Sequence, residues 1–135
     1  MSFLEWNDDH KVGVKEVDEQ HQKLFDMLND LHQAAVNGSE QSVLAAILDE
    51  MIDYTVYHFK TEEDLYIKYN FPGYENHKKV HDALTGQAVE LQQQFRDGSA
   101  TISFDLLDFL HGWLVDHTTG LDKEMGPFLN EKGVY

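Results

Sequence analysis

Four segments of this chain repeat apolar residues at steps of three and four positions, the interval that places side chains on one face of an α-helix. The chain has only two prolines, Pro72 and Pro127, so few helix breakers interrupt these segments. Helices are predicted over about 19–37, 40–69 and 74–96, and from about residue 104 onward. The short connections favour an all-α, up-down-up-down antiparallel four-helix bundle.

The ends of the helices are predicted from capping residues. Asp18 is a good N-cap for the first helix and Asn37-Gly38 a good C-cap, whereas Gly126-Pro127 is expected to stop any helix that reaches it. Residues 1–17 lack a helical period and are predicted to form an N-terminal arm, with 18–135 forming the bundle and a short C-terminal tail. The residues expected to pack the arm onto the bundle are Trp6, Val12, Val14 and Val17.

Charge and composition exclude several classes of protein. The formal net charge of −15 disfavours nucleic acid and anionic membranes as partners. The absence of cysteine excludes disulfides and thiolate metal sites. No apolar run approaches the length of about 20 residues that spans a bilayer, and the N-terminus does not resemble a signal peptide, so a cytoplasmic location is expected. The sequence does not indicate whether the chain has a protein partner.

In three of the four predicted helices, the core-facing stripe changes partway along between apolar residues and histidine or glutamate. The second helix is apolar up to Thr55 and then presents His58 and Glu62, four positions apart; the third begins with His77 and His81, also four apart. An isolated pair of this kind is usually a solvated surface pair. Polar groups on a core-facing stripe are costly unless something satisfies them, and a metal would satisfy them together.

Depth in the bundle is a stronger indication than spacing. His21 begins the first helix, the His58 pair lies late in the second, the His77 pair begins the third, and His117 lies late in the fourth. In an antiparallel bundle these places meet at one end, which predicts a shared metal site. The other histidines fit it less well: His32 is about 16 Å further along its helix, His111 faces another side, and His10 cannot be placed.

Asp122 is a further candidate, five residues after His117 and so about 140° around an ideal helix. It reaches the same site only if the helix loosens, which Gly120 would permit, and spacing alone leaves this open. Five imidazoles and two carboxylates are too many for one tetrahedral zinc and suit two ions of higher coordination. Such donors suit iron or manganese without excluding zinc or cobalt.

With these motifs the chain resembles the hemerythrins, in particular their single-domain bacterial form. The likeness covers nearly the whole chain and is carried by Trp6, Val12-Gly13-Val14, Asp18-Glu19-Gln20-His21, His58-Phe59-Lys60-Thr61-Glu62-Glu63, Phe71-Pro72, His77-Lys78-Lys79-Val80-His81, Trp113-Leu114-Val115-Asp116-His117, Asp122-Lys123 and Gly126-Pro127.

The resemblance implies a non-haem di-iron centre, with an oxo or hydroxo bridge, that binds dioxygen reversibly in a carrier, store or sensor rather than an enzyme. It implies that His77, His81 and His117 hold one iron and that His21 and His58 hold the other, which keeps an open position. It also implies that Glu62 and Asp122 bridge the two irons.

An oxygen pocket beside the second iron is expected from the same resemblance. Its candidate residues are Phe25, Phe59, Tyr66, Leu84, Trp113, Thr118, Gly120 and Leu121. Simple core packing is the plainer interpretation of the large apolar members. The chain departs from the family in Thr118-Thr119-Gly120, where bulky aliphatic residues are usual, and in Tyr66, where methionine is frequent; Tyr66 is expected either to lean toward the open iron or to reach solvent.

Two other functions remain open from the sequence. One is enzymatic, a di-iron peroxidase or a scavenger of oxygen or nitric oxide; the other is iron or zinc buffering, or a purely structural metal. Di-iron enzymes of the ferritin type use more carboxylates and Glu-x-x-His spacing. The imidazole-rich set with four-residue spacings argues against oxygenase chemistry but leaves peroxide turnover possible.

Overall fold

The computed structural model describes residues 4–97, 104–118 and 122–135, without the side chains of residues 9, 104, 105 and 122. Five α-helices lie within these ranges. They are α1 (Lys15–Val36), α2 (Gln41–Lys68), α3 (Tyr74–Asp97), α4 (Phe104–Asp116) and α5 (Asp122–Glu131). The four longer helices form the predicted bundle, and α5 is a short addition that the sequence did not predict.

The start of α1 differs from the prediction. The helix begins at Lys15, after Val14, and Asp18 lies inside its first turns rather than at its N-cap. The Asp18 carboxylate instead accepts hydrogen bonds from the backbone amides of Val12, at 2.7 Å, and Gly13, at 3.2 Å. Asp18 therefore caps the turn that precedes the helix, where Gly13 adopts a φ of +93°. The predicted end of α1 is confirmed, since Asn37 is its C-cap and Gly38 has a φ of +76°.

Apolar side chains from α1, α2 and α4 fill the larger part of the core. Those buried in this cluster include Leu24, Phe25, Leu28, Leu31, Leu44, Leu48, Met51, Leu107 and Leu114. A second cluster joins the arm to α5 and to the end of α2, and contains Val12, Val14, Val17, Tyr66, Phe71, Met125 and Leu129. The arm therefore contributes to the core rather than lying on its surface.

The segment after α4 corrects the expectation that Gly126-Pro127 stops a helix. A wider, π-helical turn occupies 117–118. Helix α5 extends from Asp122 to Glu131 and includes Gly126 and Pro127. Pro127 removes one helical hydrogen bond, but Met125 and Leu129 are fully buried and hold α5 against the arm. A Cβ at position 126 would overlap the carbonyl oxygen of Val12, so only glycine allows this approach. No helix within the described part of the chain is long and apolar enough to cross a membrane.

Candidate metal centre

Five histidines and one glutamate are buried together at one end of the bundle. Their exposed fractions do not exceed 4%, although imidazole and carboxylate groups are normally found at the surface. The group consists of His21, His58, Glu62, His77, His81 and His117. The helices bring these residues together as the depth argument predicts, because α1 and α3 run opposite to α2 and α4.

The carboxylate of Glu62 lies at the middle of this group. Its Oε1 atom is 3.0 Å from Nε2 of His58, 3.5 Å from Nε2 of His81 and 3.1 Å from Nε2 of His117. These three rings come from α2, from α3 and from the π-helical turn after α4, and each directs the same nitrogen at one oxygen. Such convergence is the arrangement that a carboxylate-bridged metal site requires.

His21 completes this side of the group. Its ring centroid is 4.5 Å from that of His58 and 5.3 Å from that of His117. His21, His58, Glu62 and His117 each offer one donor atom within 4.8 Å of the others, which is a spacing that allows a shared ion. All four are buried, so solvent screens the group only weakly.

His77 lies at the other side and connects the group to α5. Its Nε2 atom is 3.7 Å from Oε2 of Glu124, an exposed residue of α5 that the sequence reasoning did not propose. Its Nδ1 atom is 2.9 Å from the hydroxyl of Tyr66. The Tyr66 hydroxyl donates to Oε2 of Glu62 at 3.4 Å, so it accepts from His77 Nδ1–H and links the two residues.

Two further residues that sequence reasoning missed orient imidazoles of the group. Oε1 of Gln20 accepts from Nδ1–H of His58 at 2.8 Å, and Oε2 of Glu63 accepts from Nδ1–H of His81 at 3.2 Å. With the Nδ1 proton engaged, the neutral ring presents the Nε2 lone pair to the centre, which is the usual arrangement for metal-ligating histidines. Gln20 and Glu63 are next to His21 and Glu62 in the sequence, which only weakly indicates a supporting role. The packing of the helices determines that Gln20 contacts His58 and that Glu63 contacts His81.

A lysine supports the contact between Glu63 and His81. The ammonium of Lys78 lies 3.2 Å from Glu63 and 3.2 Å from Asp82. These contacts, the hydrogen bond to Glu63 first, raise the pKa of Lys78 above its usual value. Lys78 therefore keeps its charge at neutral pH and holds the carboxylate of Glu63, which orients His81.

Aromatic rings enclose the histidines on the side of α4. Phe59 stacks on His81 with centroids 4.0 Å apart, and Trp113 stacks on His117 with centroids 5.5 Å apart. An apolar cavity of about 40 Å³ reaches this wall and is lined in part by Thr55, Leu84 and Trp113. Of the proposed pocket residues, Phe59, Leu84 and Trp113 therefore lie beside the centre or its cavity.

The structure describes two of the remaining candidate residues, Tyr66 and Thr118. Tyr66 is fully buried, so its hydroxyl does not reach solvent, and the oxygen contacts His77 and Glu62. Thr118 is also buried, directly after His117. Gly120, Leu121 and the side chain of Asp122 lie outside the described residues, so the bridging role of Asp122 and a pocket wall at 120–121 stay predictions.

The donor chemistry of the cluster fits the cofactor that the resemblance implied. Imidazole nitrogens with a carboxylate suit divalent first-row metals such as iron, and the described donors exceed what one tetrahedral ion uses. His32 and His111 are only partly buried and lie outside the buried group, as the arguments from depth for His32 and from helix face for His111 predict. The fold and the buried donors together define a four-helix bundle protein with a metal centre at one end.

Comparison with known proteins identifies the family. The model of the hemerythrin HHE cation-binding domain matches residues 12–129. A bacteriohemerythrin of Methylococcus capsulatus is 37% identical over 131 residues, covering 96% of this chain and 99% of that protein. A hemerythrin-like protein of Naegleria gruberi is 36% identical over 121 residues, covering 90% and 89%. The crystal structure of a wild-type hemerythrin has a TM-score of 0.90 and 37% identity, over 95% of this chain and 98% of that one.

The chain therefore belongs to the hemerythrin family, whose members bind dioxygen at a non-haem di-iron centre. The fold and the iron cofactor predicted from the sequence are confirmed.

Proposed function

We propose that this chain works as a reversible dioxygen carrier, store or sensor and not as an enzyme, with a ligand arrangement that follows the resemblance. In this arrangement His21 and His58 hold one iron, His77, His81 and His117 hold the other, and Glu62 and Asp122 bridge them. The convergence of three Nε2 atoms on Oε1 of Glu62 is the observation that carries the proposal. The di-iron pair, when bound, supplies the electrons that make dioxygen binding reversible.

The protein groups around the centre favour binding over turnover. Gln20, Tyr66 and Glu63 engage the Nδ1 atoms of three of the histidines, so these rings are held in place without a metal. Reversible binding requires that the ligands keep their positions while dioxygen enters and leaves. A site held in this way needs little rearrangement at each cycle.

Two aromatic rings cover imidazoles of the centre. Phe59 is 3% exposed and lies flat on His81, while Trp113 lies flat on His117. The neighbouring cavity, about 40 Å³, is lined almost entirely by apolar side chains and is large enough for a small molecule. Dioxygen is apolar and enters such a space readily, whereas protons and anions enter at a cost.

Other features of the proposal concern partners and location. The net charge of −15 supports the absence of nucleic acid and anionic membrane surfaces among its partners. A cytoplasmic location stays a prediction.

The test is the visible spectrum of the reduced, iron-loaded protein under nitrogen, after air is admitted, and after nitrogen is restored. We expect an absorption band that appears in air and disappears under nitrogen over several cycles. Irreversible conversion at the first exposure to air would contradict the proposal. A parallel steady-state assay with hydrogen peroxide and a reductant tests the alternative, since sustained turnover would assign the centre to a peroxidase.

A further inference from the structure

The arm places a histidine beside the metal centre that the ligand set does not use. His10 is 6% exposed and lies between two aromatic rings, stacked on Trp6 at 5.7 Å and edge-on to Phe25 at 4.7 Å. Its Nδ1 atom is 2.9 Å from Oγ1 of Thr118, across 108 residues of sequence. The contact joins the arm directly to the turn that follows α4.

The hydrogen bonds of Thr118 determine which partner donates. Its hydroxyl donates to the carbonyl oxygen of Leu114 at 3.0 Å and also lies 3.3 Å from that of Val115. A hydroxyl has one proton, which is thereby used within α4. Oγ1 therefore accepts from Nδ1–H of His10, which fixes the neutral His10 ring in its Nδ1-protonated tautomer.

His10 and Thr118 lie close to residues that adjoin two candidate ligands, His117 and His21. Thr118 directly follows His117, in the π-helical turn that brings Nε2 of His117 to 3.1 Å from Glu62. Phe25 follows His21 by one turn of α1 and is 1% exposed. His10 therefore touches a neighbour of a candidate ligand on each of two helices. A buried polar pair of this kind is costly to separate, because the Nδ1–H group of His10 loses this acceptor without gaining water.

We propose that His10 is a positioning residue for the dioxygen site. Its hydrogen bond to Thr118 holds the turn that presents His117, and its ring packs against Trp6 and Phe25. His10 thereby covers the centre between Phe25 of α1 and the turn after α4, and we expect it to limit the entry of water and small anions. The inference rests on the proposed function only for what reaches the centre; the role of the pair in holding the turn does not depend on it.

Four variants separate positioning from packing. Thr118→Val removes the acceptor at nearly constant shape, and His10→Leu removes the donor but keeps an apolar side chain. His10→Asn is the conservative variant, since its amide N–H lies near the position of Nδ1–H. The fourth is the double variant of His10→Leu and Thr118→Val.

The first measurement uses metal-free protein, in which amide hydrogen exchange is followed at residues 114–118. Loss of one hydrogen bond of ordinary strength corresponds to about fivefold faster exchange in each single variant. We expect the double variant to exchange no faster than Thr118→Val alone, because the bond to His10 is already lost in that variant, and His10→Asn to stay near the wild type. Additive effects of the two substitutions would overturn the inference.

The second measurement uses the iron-loaded protein. Iron content should stay unchanged in all four variants, whereas the rate of autoxidation in air and the affinity of the diferric form for azide should rise by about the same fivefold in His10→Leu and Thr118→Val. A lower melting temperature with unchanged autoxidation and azide affinity would make His10 a packing residue only. If the wild type binds iron but not dioxygen reversibly, the proposed function fails while the exchange result still decides whether the pair holds the turn.

Discussion

The two ends of this bundle are built by the same four helices from opposite kinds of side chain. At one end, here called the apolar end, Leu28 and Leu31 of α1 meet Leu44 and Leu48 of α2, all at most 2% exposed. At the other, the metal end, the same helices present His21, His58 and Glu62, which are no more exposed. Burial is therefore equal at the two ends, and only the chemistry of the buried groups differs.

The difference shows which end stabilises the fold and which depends on it. Burying leucine lowers the free energy of the folded chain by about 1.5–3 kcal/mol per side chain. Burying imidazole and carboxylate groups is unfavourable unless they find partners, and their best partners here are metal ions. The apolar end is expected to fold without iron, whereas the metal end reaches its full stability only when iron is bound.

The largest effect is expected from Glu62→Ala. This substitution removes the oxygen on which three imidazoles converge, so the two ions lose a shared ligand and the purified protein should contain almost no iron. The measurement is the ratio of iron to protein. Glu50→Ala is the matched control, because Glu50 is an exposed glutamate of the same helix, and it should keep two irons per chain. Full iron content in Glu62→Ala would remove Glu62 from the ligand set.

The opposite pattern is expected from a substitution at the apolar end. Leu28→Ala should lower the free energy of unfolding by about 2–5 kcal/mol, because it leaves a cavity in a fully buried site. Iron content should not change. Denaturant unfolding measures the change in stability, and the ratio of iron to protein measures the iron content. The control is Val36→Ala, at an exposed position of α1, which should change stability by less than about 0.5 kcal/mol. Loss of iron in Leu28→Ala would show that the two ends are not separable.

A smaller effect is expected where a hydrogen bond supports a candidate ligand. Tyr66→Phe removes the hydroxyl between His77 and Glu62 but keeps the buried ring, so iron affinity should fall by about 10–100-fold while the fold persists. Competition with a chelator gives the affinity. The control is Tyr57→Phe, at an exposed tyrosine of α2, which should leave it unchanged. Equal affinities in the two variants would reduce Tyr66 to a packing residue.

Periodicity along one helix was sufficient to predict the bundle and the histidine cluster. The stripe from His21 to Leu31 is buried as expected, since residues three and four apart share a face whatever the helix packs against. Contacts between elements were not predictable in the same way. Asp18 is a residue type that often forms an N-cap, but its carboxylate accepts hydrogen bonds from two backbone amides of the arm. Which amides it meets depends on how the arm enters α1.

The C-terminal region shows a similar limit. Gly126-Pro127 has the composition of a helix stop, yet the close approach to Val12 and the burial of Met125 and Leu129 favour a helix there. The supporting contacts of Gln20 and Glu63 also depend on which rings face them across the bundle. Tertiary packing determines both the helix at Gly126-Pro127 and the contacts of Gln20 and Glu63, and it cannot be predicted from local sequence patterns alone.

The contrast between the two ends is tested most directly by amide hydrogen exchange of the same protein with and without iron. We expect removal of iron to speed exchange by about tenfold or more at residues 58–62 and 77–81, because metal binding adds stability to the state that holds it. Exchange at residues 28–31 and 44–48 should change much less. Equal acceleration at both ends, or none at the metal end, would contradict the account that iron stabilises one end of a bundle whose other end folds without it.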